Sequence, residues 1–311
     1  MPAWLKKFFK PVPFGLDFRE KDKNIHYIRG SLKGDKGRIK IQYLISSKNR
    51  LKNNEYSPGK GIIFFLHGAG RSVKQWIDKN GLGTEYFETL EKFPALHGLP
   101  IVAISFGMSF LIVNDVPYPF EADLENIFIN EIVPYFTDKL NRSGPVYLIG
   151  HSMGGFNAIS LSLRHPEKFP MVLAVSPFLL PVSPFAADLS KTIKELEDKK
   201  IWAGALKGML TYLFKNDINW QKYNPFNLVL NNPNSRYPIL FFTLAENDMA
   251  GFHQSIENFR ELILKTSKFQ SYFFKVAGDH YHPTAKPVFP AFLNKIQATI
   301  NFNKEEANVY T

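Results

Sequence analysis

The sequence predicts an α/β fold with a mostly parallel central sheet and helices on both faces. Short apolar runs of strand length alternate with segments of helical period. Several of these runs are continuously apolar, which is typical of strands that are covered on both faces. With 311 residues and 45% hydrophobic content, the chain is long enough to bury one large core. We therefore expect a single domain, with one insertion and no internal repeat.

The N-terminal part of the chain predicts an antiparallel hairpin. The runs N-I-H-Y-I-R-G-S-L from residue 24 and G-R-I-K-I-Q-Y-L-I-S from residue 37 are rich in β-branched residues, and a polar Gly/Asp/Lys turn separates them. Residues 1–23 form a basic, aromatic extension in this interpretation. After a polar loop, the apolar run G-I-I-F-F-L-H-G from Gly61 predicts the first central strand.

The remaining elements follow in regular alternation. Further strands are predicted to begin at Ile101, Pro145, Met171, Pro238 and Ser271. Helical patterns lie between or after them, at residues 84–93, 121–140, 153–164, 252–265 and 287–300. This alternation is typical of a parallel sheet, and it assigns the core to residues 24–176 and 237–303.

The segment 177–236 interrupts this rhythm. About 60 residues pass without a strand, whereas connections in α/β units usually have 2 to 6 residues. The segment begins with prolines and then turns helical, with Thr192 and Glu195 spaced as a capping box. We interpret it as a helical cap over the carboxyl ends of the strands, where open α/β sheets place their ligands.

Composition excludes several classes of function. The chain has no cysteine, so disulfides, thiolate metal sites and a cysteine nucleophile are excluded. The net charge of +10 comes from scattered lysines and arginines, without the basic stripe of a nucleic-acid-binding protein. No run of about 18 apolar residues predicts an integral membrane segment, and no secretory signal is recognised. We expect a cytoplasmic protein without a cofactor, and the sequence specifies no oligomeric state.

The segment G-H-S-M-G-G supplies the first candidate for chemistry. Gly150, Ser152 and Gly154 form G-x-S-x-G after the strand run P-V-Y-L-I and before a helical pattern. This strand–turn–helix context is the one that a nucleophilic serine on a tight turn requires. The glycines let strand and helix approach closely, and the amide of Met153 at the helix N-terminus would face an oxyanion. The alternative is a glycine-rich turn capped by a serine.

Three segments together resemble a known family. G-H-S-M-G-G, the earlier L-H-G-A-G and the helical E-I-V-P-Y resemble the Putative esterase family of α/β-hydrolases, which is similar to esterase D and feruloyl-esterase-like enzymes. The resemblance extends over about residues 38–300. It implies the α/β-hydrolase fold and ester hydrolysis through an acyl-enzyme. It also implies that the amide of Ala69, or less favourably that of Gly70, completes an oxyanion hole with Met153.

Chain order and the resemblance together select the base. His165 lies 13 residues along the helix that follows Ser152, about 20 Å away at 1.5 Å per residue, so it cannot reach the serine. His280 follows the last strand in the G-x-H position of the family, and we expect it to be the base. His67 precedes the nucleophile and is interpreted as structural. His282 precedes Pro283 and is interpreted as loop structure, since an H-x-H metal pair has no third ligand here.

The acid is expected in the loop A-E-N-D-M-A-G, which follows the strand from Pro238. The family places its acid at the aspartate of this loop, which is Asp248, and Glu246 is the reserve. Asp279 adjoins His280 in the chain, and neighbouring side chains in an extended loop point apart, so it is interpreted as a solvated carboxylate.

Four residues near strand ends are candidates for a substrate pocket: Trp76, Phe106, Met108 and Phe178. Ordinary core packing is the alternative for each. The predicted partner is a small-molecule ester. A thioesterase, lipase, peptidase or acyltransferase on the same fold, a non-catalytic ligand-binding protein and a membrane-surface enzyme that uses the basic N-terminus remain alternatives.

Overall fold

A computed structural model describes residues 26–33, 40–48, 59–78, 81–106, 111–116, 122–186, 201–231, 236–266 and 268–309. Met108, the capping-box residues Thr192 and Glu195, and the extension 1–23 lie outside them.

Eight strands form one sheet at the centre of this structure. In chain order they are β1 (His26–Lys33), β2 (Lys40–Ser47), β3 (Gly59–Leu66), β4 (Ile101–Ser105), β5 (Arg142–His151), β6 (Met171–Val175), β7 (Ile239–Asn247) and β8 (Ser271–Asp279). Their spatial order is β1-β2-β4-β3-β5-β6-β7-β8. Strand β2 is antiparallel to both neighbours, and the other neighbouring pairs are parallel. The predicted mostly parallel sheet with an antiparallel N-terminal hairpin is therefore confirmed.

Ten α-helices are described, and most of them connect consecutive strands. They are α1 (Lys74–Ile77), α2 (Leu82–Leu90), α3 (Leu124–Ile127), α4 (Val133–Lys139), α5 (Met153–Arg164), α6 (Ile201–Phe214), α7 (Asp217–Tyr223), α8 (Pro225–Leu230), α9 (Ala250–Thr266) and α10 (Phe289–Val309). A 3-10 turn at Pro94–Leu96 precedes β4, and a π-helical turn at Phe128–Ile132 joins α3 to α4. None of the helices in the described part of the chain is both long and apolar enough to cross a membrane.

Alternate side chains of the central strands belong to two apolar clusters, one on each face of the sheet. In β3, Ile62 and Phe64 belong to one buried cluster, and Ile63 and Phe65 belong to the other. The first cluster includes side chains of α4 to α9. The second includes side chains of α1, α2 and α10. Because successive side chains of a strand point to opposite faces, a continuously apolar strand requires helices on both sides.

The helices α6, α7 and α8 occupy the insertion between β6 and β7. Phe214 of α6 and Trp220 of α7 lie with ring centroids 6.4 Å and 6.0 Å from the ring of Phe156 in α5. All three rings are nearly inaccessible to solvent. The described insertion helices thus share the apolar cluster of the sheet and do not form a separate core.

The parallel strands bring four chain segments to one edge of the sheet. Leu66 at the end of β3 pairs with Gly150 in β5, and Asn247 at the end of β7 pairs with Asp279 at the end of β8. The residues that follow β3, β5, β7 and β8 therefore emerge at the same edge, where open α/β sheets bind their ligands.

Candidate active site

Ser152 lies at the tip of a sharp turn between β5 and α5. Its φ of 54° and ψ of −116° lie outside the regions that residues with a Cβ normally occupy, which costs roughly 1–3 kcal/mol. Three backbone hydrogen bonds hold the turn. The Ser152 amide donates to Val175 at 3.1 Å, and its carbonyl accepts from Phe156 at 3.1 Å and from Phe178 at 2.8 Å.

The glycines around Ser152 are required by backbone contacts. A Cβ on Gly150 would lie 2.1 Å from the carbonyl oxygen of Gly154, and a Cβ on Gly154 would lie 1.9 Å from that of Leu66. On Gly155 it would lie 2.8 Å from the side chain of Pro177. The helix after the serine thus packs directly against β3 and β5, which only glycine permits.

Ser152, His280 and Asp248 form a continuous chain of hydrogen bonds. The Oγ of Ser152 lies 2.8 Å from Nε2 of His280, and Nδ1 of His280 lies 2.8 Å from Oδ1 of Asp248. The carboxylate can only accept, so Nδ1 carries the proton and Nε2 is left to accept from the serine hydroxyl. All three side chains are almost fully buried.

Asp248 is held within its loop. Its Oδ1 also accepts from the amide of Met249 at 2.8 Å, and its Oδ2 is buried without a hydrogen-bond partner among the described residues. Glu246, the reserve candidate for the acid, is exposed. Aromatic rings border the imidazole, since the ring of Phe252 lies 4.7 Å from that of His280 and 5.5 Å from that of Phe178.

The loop after β3 adjoins the serine. A Cβ placed on Gly68 would lie 3.3 Å from the Cβ of Ser152. Ala69 and Gly70 are exposed, and Gly70 has a φ of 68°. The amide of Met153 begins α5 next to Ser152. The loop and the N-terminus of α5 therefore both adjoin Ser152.

His67 makes its side-chain hydrogen bonds to residues other than Ser152. Its Nε2 lies 2.8 Å from the Oγ of Ser105, and its Nδ1 lies 2.8 Å from the carbonyl oxygen of Gly68. Burial lowers the pKa of the His67 imidazole, so the neutral ring holds the loop after β3. His165 is likewise engaged elsewhere, with its Nε2 2.7 Å from Oε1 of Glu125.

Two buried residues beside the serine were not identified from the sequence. Gln75 of α1 lies 2.7 Å from Nδ1 of His151, and Nε2 of His151 lies 2.8 Å from the carbonyl oxygen of His280. The only signal in the sequence is the position of His151 inside G-H-S-M-G-G. Gln75 has none, because its contact depends on how α1 packs.

The aromatic pocket candidates lie in the interior. Trp76 is fully buried, packs against Phe65 and Tyr86 and donates from Nε1 to the Oγ of Ser46 at 3.0 Å. Phe106 belongs to the first apolar cluster. Phe178 is also buried, but its backbone and ring adjoin Ser152 and Phe252. Of these three residues, only Phe178 is close to the serine.

A cavity of about 340 Å³ borders the loops that carry the candidate catalytic residues. Its lining includes Arg71, Gln75, His151, Tyr281 and His282. These residues lie within a few positions of the loop after β3, the serine and His280, so the cavity is adjacent to all three. Neither Trp76 nor Phe106 lines it.

Known structures share this fold at low sequence identity. A ferulic acid esterase has a TM-score of 0.61 at 16% identity, covering 83% of this chain and 92% of that one. An S-formylglutathione hydrolase from Agrobacterium tumefaciens has a TM-score of 0.57 at 18% identity, covering 88% and 94%. One from Staphylococcus aureus has a TM-score of 0.58 at 15% identity, covering 89% and 98%. These similarities show the α/β-hydrolase fold.

Sequence comparison supplies the family. A 1-acylglycerol-3-phosphate O-acyltransferase of Mus musculus is 26% identical over 171 residues, which are 54% of this chain and 43% of that protein. The match thus spans less than half of the relative's length. The model of the Putative esterase family matches residues 117–296, more than half of the chain and a range that includes Ser152, Asp248 and His280. The chain therefore belongs to the Putative esterase family of α/β-hydrolases.

Proposed function

We propose that this protein hydrolyses carboxylic esters through an acyl-enzyme, with Ser152 as nucleophile, His280 as general base and acid, and Asp248 as the residue that orients the imidazole. The observation that carries the proposal is the continuous hydrogen-bond chain from the Oγ of Ser152 through both nitrogens of His280 to Asp248. In this arrangement a serine hydroxyl can lose its proton as it attacks a carbonyl carbon.

In the acylation step, the Oγ of Ser152 bonds to the carbonyl carbon of the ester and its proton moves to Nε2 of His280. The carbonyl oxygen becomes an oxyanion, which accepts hydrogen bonds from the amides of Ala69 and Met153. The tetrahedral intermediate then breaks its bond to the alcohol oxygen. The alcohol leaves with the proton from Nε2, and the acyl group remains on Ser152.

In the deacylation step, water takes the place of the alcohol. Nε2 of His280 accepts a proton from the water as its oxygen attacks the acyl carbon, and the same two amides hold the oxyanion. The bond to the Oγ of Ser152 breaks, the oxygen recovers its proton from His280, and the carboxylic acid leaves. Asp248 stabilises the imidazolium in both steps, because its buried Oδ1 accepts from Nδ1.

The segment 177–236 is proposed to cover this site and shape its specificity. Its first residues adjoin the serine, since Pro177 packs against Gly155 and the amide of Phe178 donates to the carbonyl of Ser152. Segments that connect strands at the ligand-binding edge commonly determine which substrate fits.

The test is hydrolysis of a short p-nitrophenyl ester by wild type and Ser152→Ala. The substitution removes the attacking atom, so we expect the rate to fall by about a thousandfold or more. A fluorophosphonate probe should label wild type and fail to label Ser152→Ala. Ester hydrolysis retained by Ser152→Ala, or a folded wild type that the probe leaves unlabelled, would contradict the proposal.

The reaction class is tested by a panel of esters, thioesters and amides with the same acyl group. An S-formylglutathione hydrolase and a ferulic acid esterase share the fold, so a thioester and an aromatic ester belong in the panel. A glycerol-containing reaction mixture also tests for acyl transfer to an alcohol. We expect the highest kcat/KM for esters and water as the main acceptor. A clear preference for thioesters, amides or an alcohol acceptor would assign the site to another acyl-transfer activity.

A further inference from the structure

Three hydrogen bonds join the loops that carry the candidate catalytic groups. The Gly68 amide lies 2.8 Å from Oε1 of Gln75, Nε2 of Gln75 lies 2.7 Å from Nδ1 of His151, and Nε2 of His151 lies 2.8 Å from the carbonyl oxygen of His280. We propose that this Gln75–His151 relay positions three groups relative to one another: the loop after β3 that carries Ala69, the nucleophile Ser152 and the base His280. The inference rests on the proposed function.

The backbone groups at the two ends of the relay determine whether each side-chain atom between them donates or accepts a hydrogen bond. The carbonyl of His280 can only accept, so Nε2 of His151 carries a proton and donates it. A neutral imidazole has only one N–H, so its Nδ1 must accept from the amide nitrogen of Gln75. The amide oxygen of Gln75 then faces the N–H of Gly68. A side chain with one donor and one acceptor is therefore required at position 75.

His151 stays neutral in this arrangement. Burial, followed by the charge of nearby His280, lowers the pKa of His151 to about 3, and the charges of Arg71 and His282 act in the same direction. The two imidazole rings lie only 5.7 Å apart. A positive charge on His151 would repel the positive charge that His280 gains when it takes the proton of Ser152, so a neutral ring suits the proposed mechanism.

The relay reaches the reacting groups only through the backbone. Gln75 and His151 are buried, and their polar side-chain atoms bond to Gly68, to each other and to the His280 carbonyl. Ala69, the proposed oxyanion donor, follows Gly68 directly, and Ser152 follows His151. Both residues are thus positioning residues. Displacing a catalytic group by about 1 Å can reduce the rate a hundredfold.

The variants Gln75→Leu and His151→Phe remove the hydrogen bonds of the relay and place apolar side chains of similar shape at the two positions. We expect kcat for the p-nitrophenyl ester to fall about 10- to 100-fold, with KM within about threefold of wild type, because the polar side-chain atoms of the relay bond to backbone groups and to each other. His151→Asn and His151→Gln are the matched variants. In His151→Asn the side-chain oxygen takes the place of Nδ1 and can still accept a hydrogen bond from Gln75. In His151→Gln the side-chain nitrogen can reach toward the carbonyl of His280. Each variant should therefore lose less kcat than His151→Phe.

A spectroscopic measurement tests the relay without any variant. In ¹⁵N-detected NMR, wild-type His151 should be the neutral Nε2–H tautomer from pH 5 to 8. In Gln75→Glu, residue 75 can no longer donate to Nδ1, so His151 should gain a second proton within this range. The Nδ1–H tautomer in wild type, or wild-type kcat in folded Gln75→Leu and His151→Phe, would overturn the relay. If Ser152→Ala is inactive while the relay variants are fully active, the relay alone is refuted. If Ser152→Ala is active, the proposed function is refuted.

Discussion

The Nε2 of His280 lies 2.8 Å from the Oγ of Ser152, although 128 residues separate them in the chain. The contact exists because β5 and β8 both end at the same edge of the sheet, so the loop after β8 can turn back over the end of β5. The backbone strain at Ser152 projects its side chain out of the turn toward this loop. Sheet topology and local strain together produce the geometry on which the proposed chemistry depends.

Replacing Asp248 by asparagine should abolish most activity while preserving the fold. The amide group of asparagine can donate to Nδ1 of His280, and the imidazole proton then lies on Nε2, facing Ser152. A protonated Nε2 cannot accept the proton of the serine hydroxyl. We expect kcat to fall on the order of 10⁴-fold. Glu246→Gln in the same loop is the control, and it should retain wild-type kcat because Glu246 is exposed. An inactive Glu246→Gln with an active Asp248→Asn would assign the acid to Glu246.

Gly154→Ala should destabilise the protein through a clash between backbones. The new Cβ would lie 1.9 Å from the carbonyl oxygen of Leu66 and 2.8 Å from that of His67, so α5 must move away from β3. We expect the free energy of unfolding to fall by about 3 kcal/mol or more, at the upper end of overpacking, measured by urea denaturation.

The matched control for this substitution is Gly144→Ala. Gly144 has a positive φ of 85°, unlike Gly154, and a Cβ there would have its nearest contact at 4.0 Å. Only backbone strain is added, so a loss of about 1 kcal/mol is expected. A free energy of unfolding in Gly154→Ala equal to that of wild type would mean that the close approach of α5 to β3 contributes nothing.

Periodicity and motif context predicted much of the fold. The helix at residues 153–164 was predicted with the bounds that the structure gives to α5, because a glycine-rich turn precedes it and its apolar residues have a helical period. Likewise, the continuously apolar β3 could be recognised as a strand covered on both faces. Such local signals are strong because the residues that carry them are close together in the chain.

The sequence did not distinguish pocket residues from core residues. Trp76 follows the loop after β3, where an aromatic residue suits a pocket and a core equally well. Its burial depends on α2 and on the hydrogen bond to Ser46 in a distant strand. The same holds for Gln75, whose partners Gly68 and His151 come together only in the folded chain.

Truncating Phe252 should weaken the His280–Asp248 pair by admitting water. The ring of Phe252 lies 4.7 Å from the imidazole ring and also packs against Phe178. Phe252→Ala is expected to lower kcat about tenfold, because electrostatic interactions weaken when water enters. Phe252→Leu, which keeps most of the apolar volume, should lose less. His253→Gln, the adjacent position on α9, should leave kcat unchanged, and equal effects of all three substitutions would contradict the shielding role.

Glu125 should make stability sensitive to acid. Burial alone would raise the pKa of this carboxyl, but the hydrogen bond from His165 and the charge of Arg164 lower it to about 2. Because the folded pKa is lower than the unfolded value of 4.5, the unfolded state binds more protons between these values. The stabilisation is therefore fully present above about pH 4.5 and is lost as the pH falls toward 2.

At 1.36 kcal/mol per pKa unit, this contribution is about 3 kcal/mol. Glu125→Gln should thus be destabilised at pH 7, and its free energy of unfolding should fall less steeply than that of wild type between pH 4.5 and 2. Urea denaturation across this range measures both. Glu261→Gln is the control, since among the described residues Glu261 pairs with Lys265 at an exposed position and such pairs contribute little. Parallel pH profiles for wild type and Glu125→Gln would show that the cluster of Glu125, Arg164 and His165 does not set the acid limit of stability.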